Sequence, residues 1–104
     1  MNWLITRHQG LIDWAQKQGQ EFDVVRDHLN PADFLYLGEG DRVYGILPLY
    51  LINEVGQHGA VYWHLELKLT LGQRGTEFTE QFLHQQAARW VCYDVWRRLA
   101  DQNV

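Results

Sequence analysis

Two arginines lie beside glycines in stretches of the sequence that otherwise carry little charge. Arg7 is closely followed by Gly10, and Arg74 is directly followed by Gly75. An arginine supplies a forked, permanently charged donor, and a glycine lets the backbone come close to an anion. These residue types predict a site for a small phosphorylated ligand. The other interpretation is that Arg7 and Arg74 are exposed turn residues paired with nearby acids.

His8 is the histidine best placed for a function, because it follows the end of a predicted strand beside Arg7. Its alternative is an ordinary exposed loop histidine. The sequence predicts no metal site, because no cysteine pair is present and the remaining histidines lack ligand spacing; they are His28, His58, His64 and His84. The single cysteine, Cys92, excludes an internal disulfide and is predicted to be a small buried hydrophobe in a strand.

Strand-like and helix-like segments alternate along the chain and must position these residues. The predicted strands are 3–6, 22–28, 42–47, 61–69 and 89–96, and the predicted helices are 11–18, 48–59 and one capped by Thr79. Strands that alternate with helices indicate βαβ crossovers. We therefore expect a single small α/β, Rossmann-like domain over 1–104, with a mostly parallel five-stranded sheet flanked by about three helices.

In open α/β sheets, ligands bind beyond the carboxyl ends of the strands. Three predicted loops lie at these carboxyl ends: 6–10 after the first strand, Leu47-Pro48 after the third, and 70–77 after the fourth. The first and last of these loops contain Arg7 and Arg74. The predicted anion site therefore lies at this edge of the sheet.

The fourth predicted strand alternates apolar and polar residues, although a central parallel strand is normally apolar on both faces. Either the sheet is mixed, or a second subunit covers the polar face. We favour the second explanation, because Tyr62 and His64 would suit a dimer contact.

Composition and charge exclude several classes of protein. The net charge is −4, from 9 basic and 13 acidic residues. A protein that grips a long nucleic acid usually presents a basic surface, so we expect no such partner. No apolar run approaches the ~20 residues of a membrane span, and the N-terminus has no signal-peptide pattern. The cytoplasm is therefore the expected compartment, without a membrane partner.

The Arg-His pair after a first strand also resembles the R-H-G motif of histidine phosphatases. In those proteins glycine directly follows the histidine, and a second active-site histidine lies far downstream. Here Gln9 intervenes and the chain is short, so we set that interpretation aside.

A second resemblance covers nearly the whole chain. It is carried by segments 3–10 (W-L-I-T-R-H-Q-G), 28–29 (H-L), 40–48 (G-D-R-V-Y-G-I-L-P), 59–60 (G-A), 64–67 (H-L-E-L) and 74–78 (R-G-T-E-F). Together they resemble a small CRISPR-associated family of type III systems, the sixteenth in the Csx series. The opening of that family usually reads S-R-H-P-G-A. Here Thr6 replaces the serine and keeps a hydroxyl, Gln9 replaces the proline, and Leu11 replaces the alanine.

The resemblance implies a nucleotide-sensor-like domain and a ring nuclease that binds cyclic tetra-adenylate across a homodimer and cuts it. The implied reaction needs no metal or cofactor: a ribose 2′-OH attacks its neighbouring phosphodiester and leaves a 2′,3′-cyclic phosphate. The implied catalytic residues are Arg7 and Arg74 for charge stabilisation and His8 for proton transfer. The implied substrate-binding residues are Thr6, Gln9, Gly10, Gly45, Leu47, Pro48, Gly75 and Glu77.

Two other functions stay open at this point. The same site could sequester the cyclic ligand without cutting it, because a misaligned phosphate would bind equally well. Alternatively, the chain could be a non-enzymatic interaction domain whose Trp and Tyr residues contact a protein partner.

Overall fold

The computed structural model describes residues 1–68 and 77–98. Its elements in chain order are β1 (Asn2–Ile5), α1 (Gln9–Lys17), β2 (Val24–Arg26), a short 3₁₀ helix (Pro31–Leu35), β3 (Arg42–Gly45), α2 (Leu49–Gln57), β4 (Val61–Glu66), α3 (Glu80–Gln85) and β5 (Arg89–Tyr93). The predicted alternation of strands and helices is confirmed. The predicted strands are longer than those observed; the second one shrinks from 22–28 to Val24–Arg26.

The strands form one five-stranded sheet in the order β2-β1-β3-β4-β5. β1 pairs in parallel with both β2 and β3, and β3 pairs in parallel with β4. β5 runs antiparallel to β4. The sheet is therefore mixed, which corrects the prediction of a mostly parallel one. The reason lies in the connection after β4. Its helix α3 is short, and β5 begins at the same end of the sheet at which β4 finishes.

Helices cover both faces of the sheet, and the alternation along β1 shows why. Trp3 and Ile5 point to the face covered by α2 and the 3₁₀ helix. Leu4 points to the opposite face, which α1 and α3 cover. All three side chains are buried. A central strand that is apolar on both faces is what a three-layer α/β protein requires.

The polar face of β4 is covered from within the chain, which corrects the predicted dimer contact at Tyr62. The Tyr62 side chain is 2% exposed and packs in the cluster under α2. Its hydroxyl lies 2.9 Å from both the Leu47 nitrogen and the Gly45 oxygen, and 2.7 Å from His64 Nδ1. A tyrosine can be buried in this way because its polar tip finds hydrogen-bond partners.

Two local expectations on the second half of the chain have opposite outcomes. Thr79 caps α3 as predicted, and its hydroxyl accepts the Phe82 N–H at 3.1 Å. Cys92 does lie in β5, but it is exposed rather than buried. The difference arises because β5 is an edge strand, so part of its surface faces solvent. Over 1–68 and 77–98, the structure has no helix that is long and apolar enough to cross a membrane.

Candidate functional site

A cleft opens at the carboxyl edge of the sheet, where the chain changes direction between β1 and β3. The connection after β1 runs over the face of α1, and the connection after β3 runs over the face of α2. The two connections therefore diverge and leave a crevice, the usual ligand position in open α/β sheets. The cleft has a volume of about 530 Å³. It is lined by Ile5, Thr6, Arg7, His8, Leu11, Asp27, His28, Leu29, Ile46, Leu47, Pro48, Tyr50, Leu51 and Phe78.

The turn from β1 into α1 places Thr6, Arg7 and His8 on one wall of this cleft. The Thr6 hydroxyl accepts the His8 N–H at 3.1 Å, which closes the turn. His8 is the N-cap residue of α1, and its carbonyl accepts the Leu11 N–H at 3.1 Å. Its ring lies 4.9 Å from the Phe78 ring, measured between centroids. The first backbone N–H groups of α1 lack helical acceptors, as at any helix start, so this wall suits an anion.

Arg7 is exposed at the mouth of the cleft. Within residues 1–68 and 77–98 it takes part in none of the ion pairs, which are Met1–Asp41, Lys17–Glu80, Arg26–Asp33 and Arg89–Glu66. The guanidinium is therefore not neutralised by a described carboxylate, contrary to the interpretation of a paired turn residue. It is the cation best placed to meet an anionic ligand in this cleft.

Six other predicted site residues divide into three groups. Leu47 and Pro48 line the cleft from the start of α2. Gln9 and Glu77 do not line it; the Gln9 amide donates to Asp13 Oδ1 at 2.9 Å, and Glu77 is exposed. The predicted residues Arg74 and Gly75 lie outside the described residues.

Gly10 and Gly45 both make close approaches to the protein's own backbone. A Cβ atom on Gly10 would lie 2.0 Å from the Phe78 carbonyl oxygen. A Cβ atom on Gly45 would lie 2.7 Å from the Ile5 carbonyl oxygen. Real Cβ atoms do not approach oxygen so closely, so these glycines let α1 meet the 77–79 segment and let β3 meet β1. Contact with a ligand stays a prediction for both.

Sequence reasoning missed Asp27 and His28, which line the same cleft. Both follow β2 directly, and β2 is the parallel neighbour of β1. The rule that selected the loops after the first, third and fourth strands applies equally to the second. The missing information was the position of β2 beside β1.

A second, larger cavity of about 980 Å³ adjoins the first one and shares Ile46, Leu47 and Phe78 with it. Its polar wall is formed by side chains of β4 and β5. Glu66 accepts a hydrogen bond from the Tyr93 hydroxyl and lies 3.6 Å from the Arg89 guanidinium. The Tyr93 hydroxyl has a raised pKa, chiefly because it donates to the Glu66 carboxylate.

Tyr62 and His64 form a hydrogen-bonded pair, and His64 lines this second cavity. Burial raises the pKa of Tyr62 to about 12, against the opposing effect of the Leu47 N–H, so the phenol stays protonated. Burial also lowers the pKa of His64, and the negative charge of Glu66 only partly opposes this effect. The His64 ring is therefore neutral at physiological pH. The sequence predicts a dimer contact for His64 and does not place it among the catalytic or substrate-binding residues.

No group of three or more His, Cys, Asp or Glu side chains within 1–68 and 77–98 is arranged to hold a metal ion. The expectation that the protein works without a metal stays a prediction.

The fold and the cleft define an α/β protein with a mixed sheet and an open cleft at its carboxyl edge, lined in part by the exposed Arg7. Residues 3–96 match the family described as "Putative CRISPR-associated protein (Cas_VVA1548)", and the chain belongs to this family. Among curated proteins and among solved structures, no match was found. The expected CRISPR association is thereby confirmed.

Proposed function

We propose that the protein is a metal-independent ring nuclease that binds and cleaves cyclic tetra-adenylate in the cytoplasm and so switches off type III CRISPR signalling. The observation that carries this proposal is the Thr6-Arg7-His8 wall of the cleft between β1 and β3. Its supporting context is membership of a CRISPR-associated family. An acidic chain with a local cationic cleft suits a small anionic ligand better than a long nucleic acid.

In the proposed reaction a ribose 2′-oxygen attacks the adjacent phosphorus, and the 5′-oxygen of the next nucleotide leaves. The nucleophile belongs to the substrate, so the protein must align the three reacting atoms and stabilise the charge that develops on phosphate. Arg7 is assigned that stabilising role, with Arg74 as its predicted partner. Thr6 and the start of α1 bind the same phosphate, and His8 exchanges a proton with the reacting oxygens.

The proposed active form is a homodimer. A cyclic tetranucleotide is two-fold symmetric, and a two-fold axis through it presents one cleft to each half of the ring. The contact cannot involve Tyr62, which is buried within the subunit. Light scattering in the presence of the ligand is expected to give twice the mass of the chain; a monomer at micromolar concentration would contradict the dimer.

Product analysis tests the proposed function. The purified protein is incubated with radiolabelled cyclic tetra-adenylate in EDTA, under single-turnover conditions, and the products are separated. We expect linear oligoadenylates ending in a 2′,3′-cyclic phosphate. Saturable binding without products would instead support a sequestering module. Neither binding nor cleavage would favour an interaction protein, for which the exposed Tyr36 and Trp96 offer partner surfaces.

A further inference from the structure

The second cavity contains a histidine whose protonation pattern is fixed by the fold. His64 lies on β4, and its Nδ1 is 2.7 Å from the Tyr62 hydroxyl oxygen. Within residues 1–68 and 77–98, no hydrogen bond occupies the other ring nitrogen, Nε2. His64 also lines the second cavity, which shares Leu47 and Phe78 with the lining of the Arg7–His8 cleft. This ring is therefore oriented, half-buried and next to the proposed ligand site.

Counting protons around the Tyr62 hydroxyl identifies the tautomer of His64. The oxygen accepts the Leu47 N–H at 2.9 Å, and the single hydroxyl proton is donated to the Gly45 carbonyl at 2.9 Å. One lone pair on the oxygen is left for His64, so Nδ1 must carry the proton and donate. All three partners of the hydroxyl are satisfied only in this arrangement. The neutral ring then presents the unprotonated Nε2 as an acceptor.

The groups around His64 keep it neutral but able to take up a proton. Val91 and Gly45, opposite it on β5 and β3, carry no side-chain charge. The Tyr93 ring lies edge-on at 5.8 Å between centroids. The titratable and charged groups that face the cavity from its walls are Glu66, Lys68, Arg89 and Tyr93, with Tyr62 behind the ring. The Glu66 carboxylate supports the imidazolium once it forms.

We propose that His64 is the general base of the ring nuclease reaction, accepting the ribose 2′-OH proton at Nε2, and that Tyr62 is the residue that positions it. The inference rests on the proposed function. In the step, the 2′-O–H bond breaks and its proton passes to Nε2, while the 2′-oxygen bonds to phosphorus. The bond from phosphorus to the 5′-oxygen breaks, and that oxygen takes a proton from protonated His8. Exchange with water then restores both imidazoles.

Single-turnover cleavage of cyclic tetra-adenylate between pH 5.5 and 8.5 tests this assignment. The variants are His64→Gln and Tyr62→Phe, with His58→Gln as the matched control. His58 is an exposed histidine at the C-terminal end of α2, and it lines neither cleft. Binding is measured in parallel with the cyclic tetra-2′-deoxyadenylate, which has no 2′-OH. Thermal unfolding of each variant checks that it folds.

We expect His64→Gln to slow cleavage by ~10²–10⁴-fold, the usual loss on removing a general base, with binding changed by no more than a few-fold. The rate of the wild-type protein should fall on acidification as His64 is protonated, and this dependence should vanish in His64→Gln. In Tyr62→Phe the fall in cleavage rate on acidification should occur at lower pH, because the His64 imidazolium loses the Tyr62 oxygen as its hydrogen-bond acceptor. A purely structural role of Tyr62 would lower the melting temperature without moving the pH profile.

Each failure has a distinct signature. If the wild-type protein cleaves and His64→Gln cleaves at the same rate with the same pH profile, the assignment of His64 is overturned and the ring nuclease stands. If the wild-type protein neither binds nor cleaves the ligand, the proposed function falls, and the role of His64 falls with it. Loss of cleavage in His58→Gln to the same extent would also overturn the assignment.

Discussion

The two histidine-bearing regions at the carboxyl edge differ in how the fold holds them. His8 sits in an exposed turn, and its imidazole is contacted by the Phe78 ring, while its backbone is fixed by Thr6. His64 is half-buried, and its imidazole is tied to Tyr62 through a hydroxyl with three partners. The first region presents charge to a ligand that arrives from solvent. The second fixes a tautomer before any ligand arrives.

This difference separates two tasks that a phosphodiester cleavage needs. An exposed arginine can follow a flexible anion, and an exposed histidine can exchange protons with water. A half-buried histidine with a fixed tautomer needs little reorganisation when it accepts a proton. The Arg7–His8 region, which is the easier one to recognise in the sequence, is suited to binding an anion, whereas the His64 region within a strand is suited to oriented proton transfer.

The largest effect is expected for His8→Ala, which tests whether the exposed region does chemistry at all. Losing a general acid or base costs ~10²–10⁴-fold in rate. Binding should stay nearly intact, because Arg7 and the start of α1 remain. Single-turnover rates and dissociation constants measure both quantities, with His58→Ala as the control. Cleavage by His8→Ala at the wild-type rate would reduce His8 to an ordinary turn residue.

Arg7→Ala should weaken both binding and cleavage, which distinguishes the arginine from the histidine beside it. Removing one preorganised donor from a developing oxyanion typically costs ~2.7–4 kcal/mol, or about 10²–10³-fold in rate. The matched control is Arg42→Ala, an exposed arginine at the start of β3 and thus at the opposite edge of the sheet. Equal losses in the two variants would mean that general positive charge, rather than the cleft, binds the ligand.

Gly10→Ala tests whether this glycine serves the fold or the ligand. Its Cβ would lie 2.0 Å from the Phe78 oxygen and 2.7 Å from the Thr79 Cα. Forcing the 77–79 segment away from α1 should lower the free energy of unfolding by ~1–3 kcal/mol. Gly56→Ala is the control, because a Cβ there would meet no described atom within 4 Å beyond its own stretch of helix. The free energy of unfolding of this variant should rise by about 0.5–1 kcal/mol. Unchanged stability of Gly10→Ala in urea unfolding would contradict the packing role.

The smallest expected effect is a pH dependence of stability from His64. Its folded-state pKa lies below the ordinary value, so the unfolded chain binds the proton more readily. Above the pKa that His64 has in the unfolded chain, the neutral ring makes its full contribution to the free energy of unfolding. This contribution is lost as the pH falls from that pKa towards the lower pKa of the folded protein. Urea unfolding at pH 7.5 and 5.5 should show a smaller loss in His64→Gln than in the wild-type protein. An identical loss would show that burial does not hold His64 neutral in the folded protein.

The parts of the fold set by local sequence could be predicted. The Arg7–His8 turn was expected because an apolar run, a glycine and a helix pattern follow one another within a few residues. The Thr79 cap was expected from its place before a helix pattern, and its hydroxyl does accept the Phe82 N–H. Local hydrogen bonds and short-range periodicity determine such features.

The parts set by contacts between distant residues could not be predicted. The alternation along β4 predicts Tyr62 on the polar face, yet Gly45 at the end of β3 and Leu47 just after it bind the Tyr62 hydroxyl inside the subunit. The antiparallel direction of β5 depends on the whole connection after β4 rather than on any residue within β5. The tautomer of His64 follows from the partners of the Tyr62 hydroxyl, so it could be inferred only from the assembled sheet.

A titration with the cyclic tetra-2′-deoxyadenylate tests most directly whether one ligand occupies both regions. This analogue has no 2′-OH and stays intact, so imidazole signals of ¹⁵N-histidine-labelled protein can be followed to saturation. The account predicts that the His8 and His64 signals move together with a single dissociation constant, while the His58 signal stays in place. A saturable shift at only one of His8 and His64, or at neither, would contradict it.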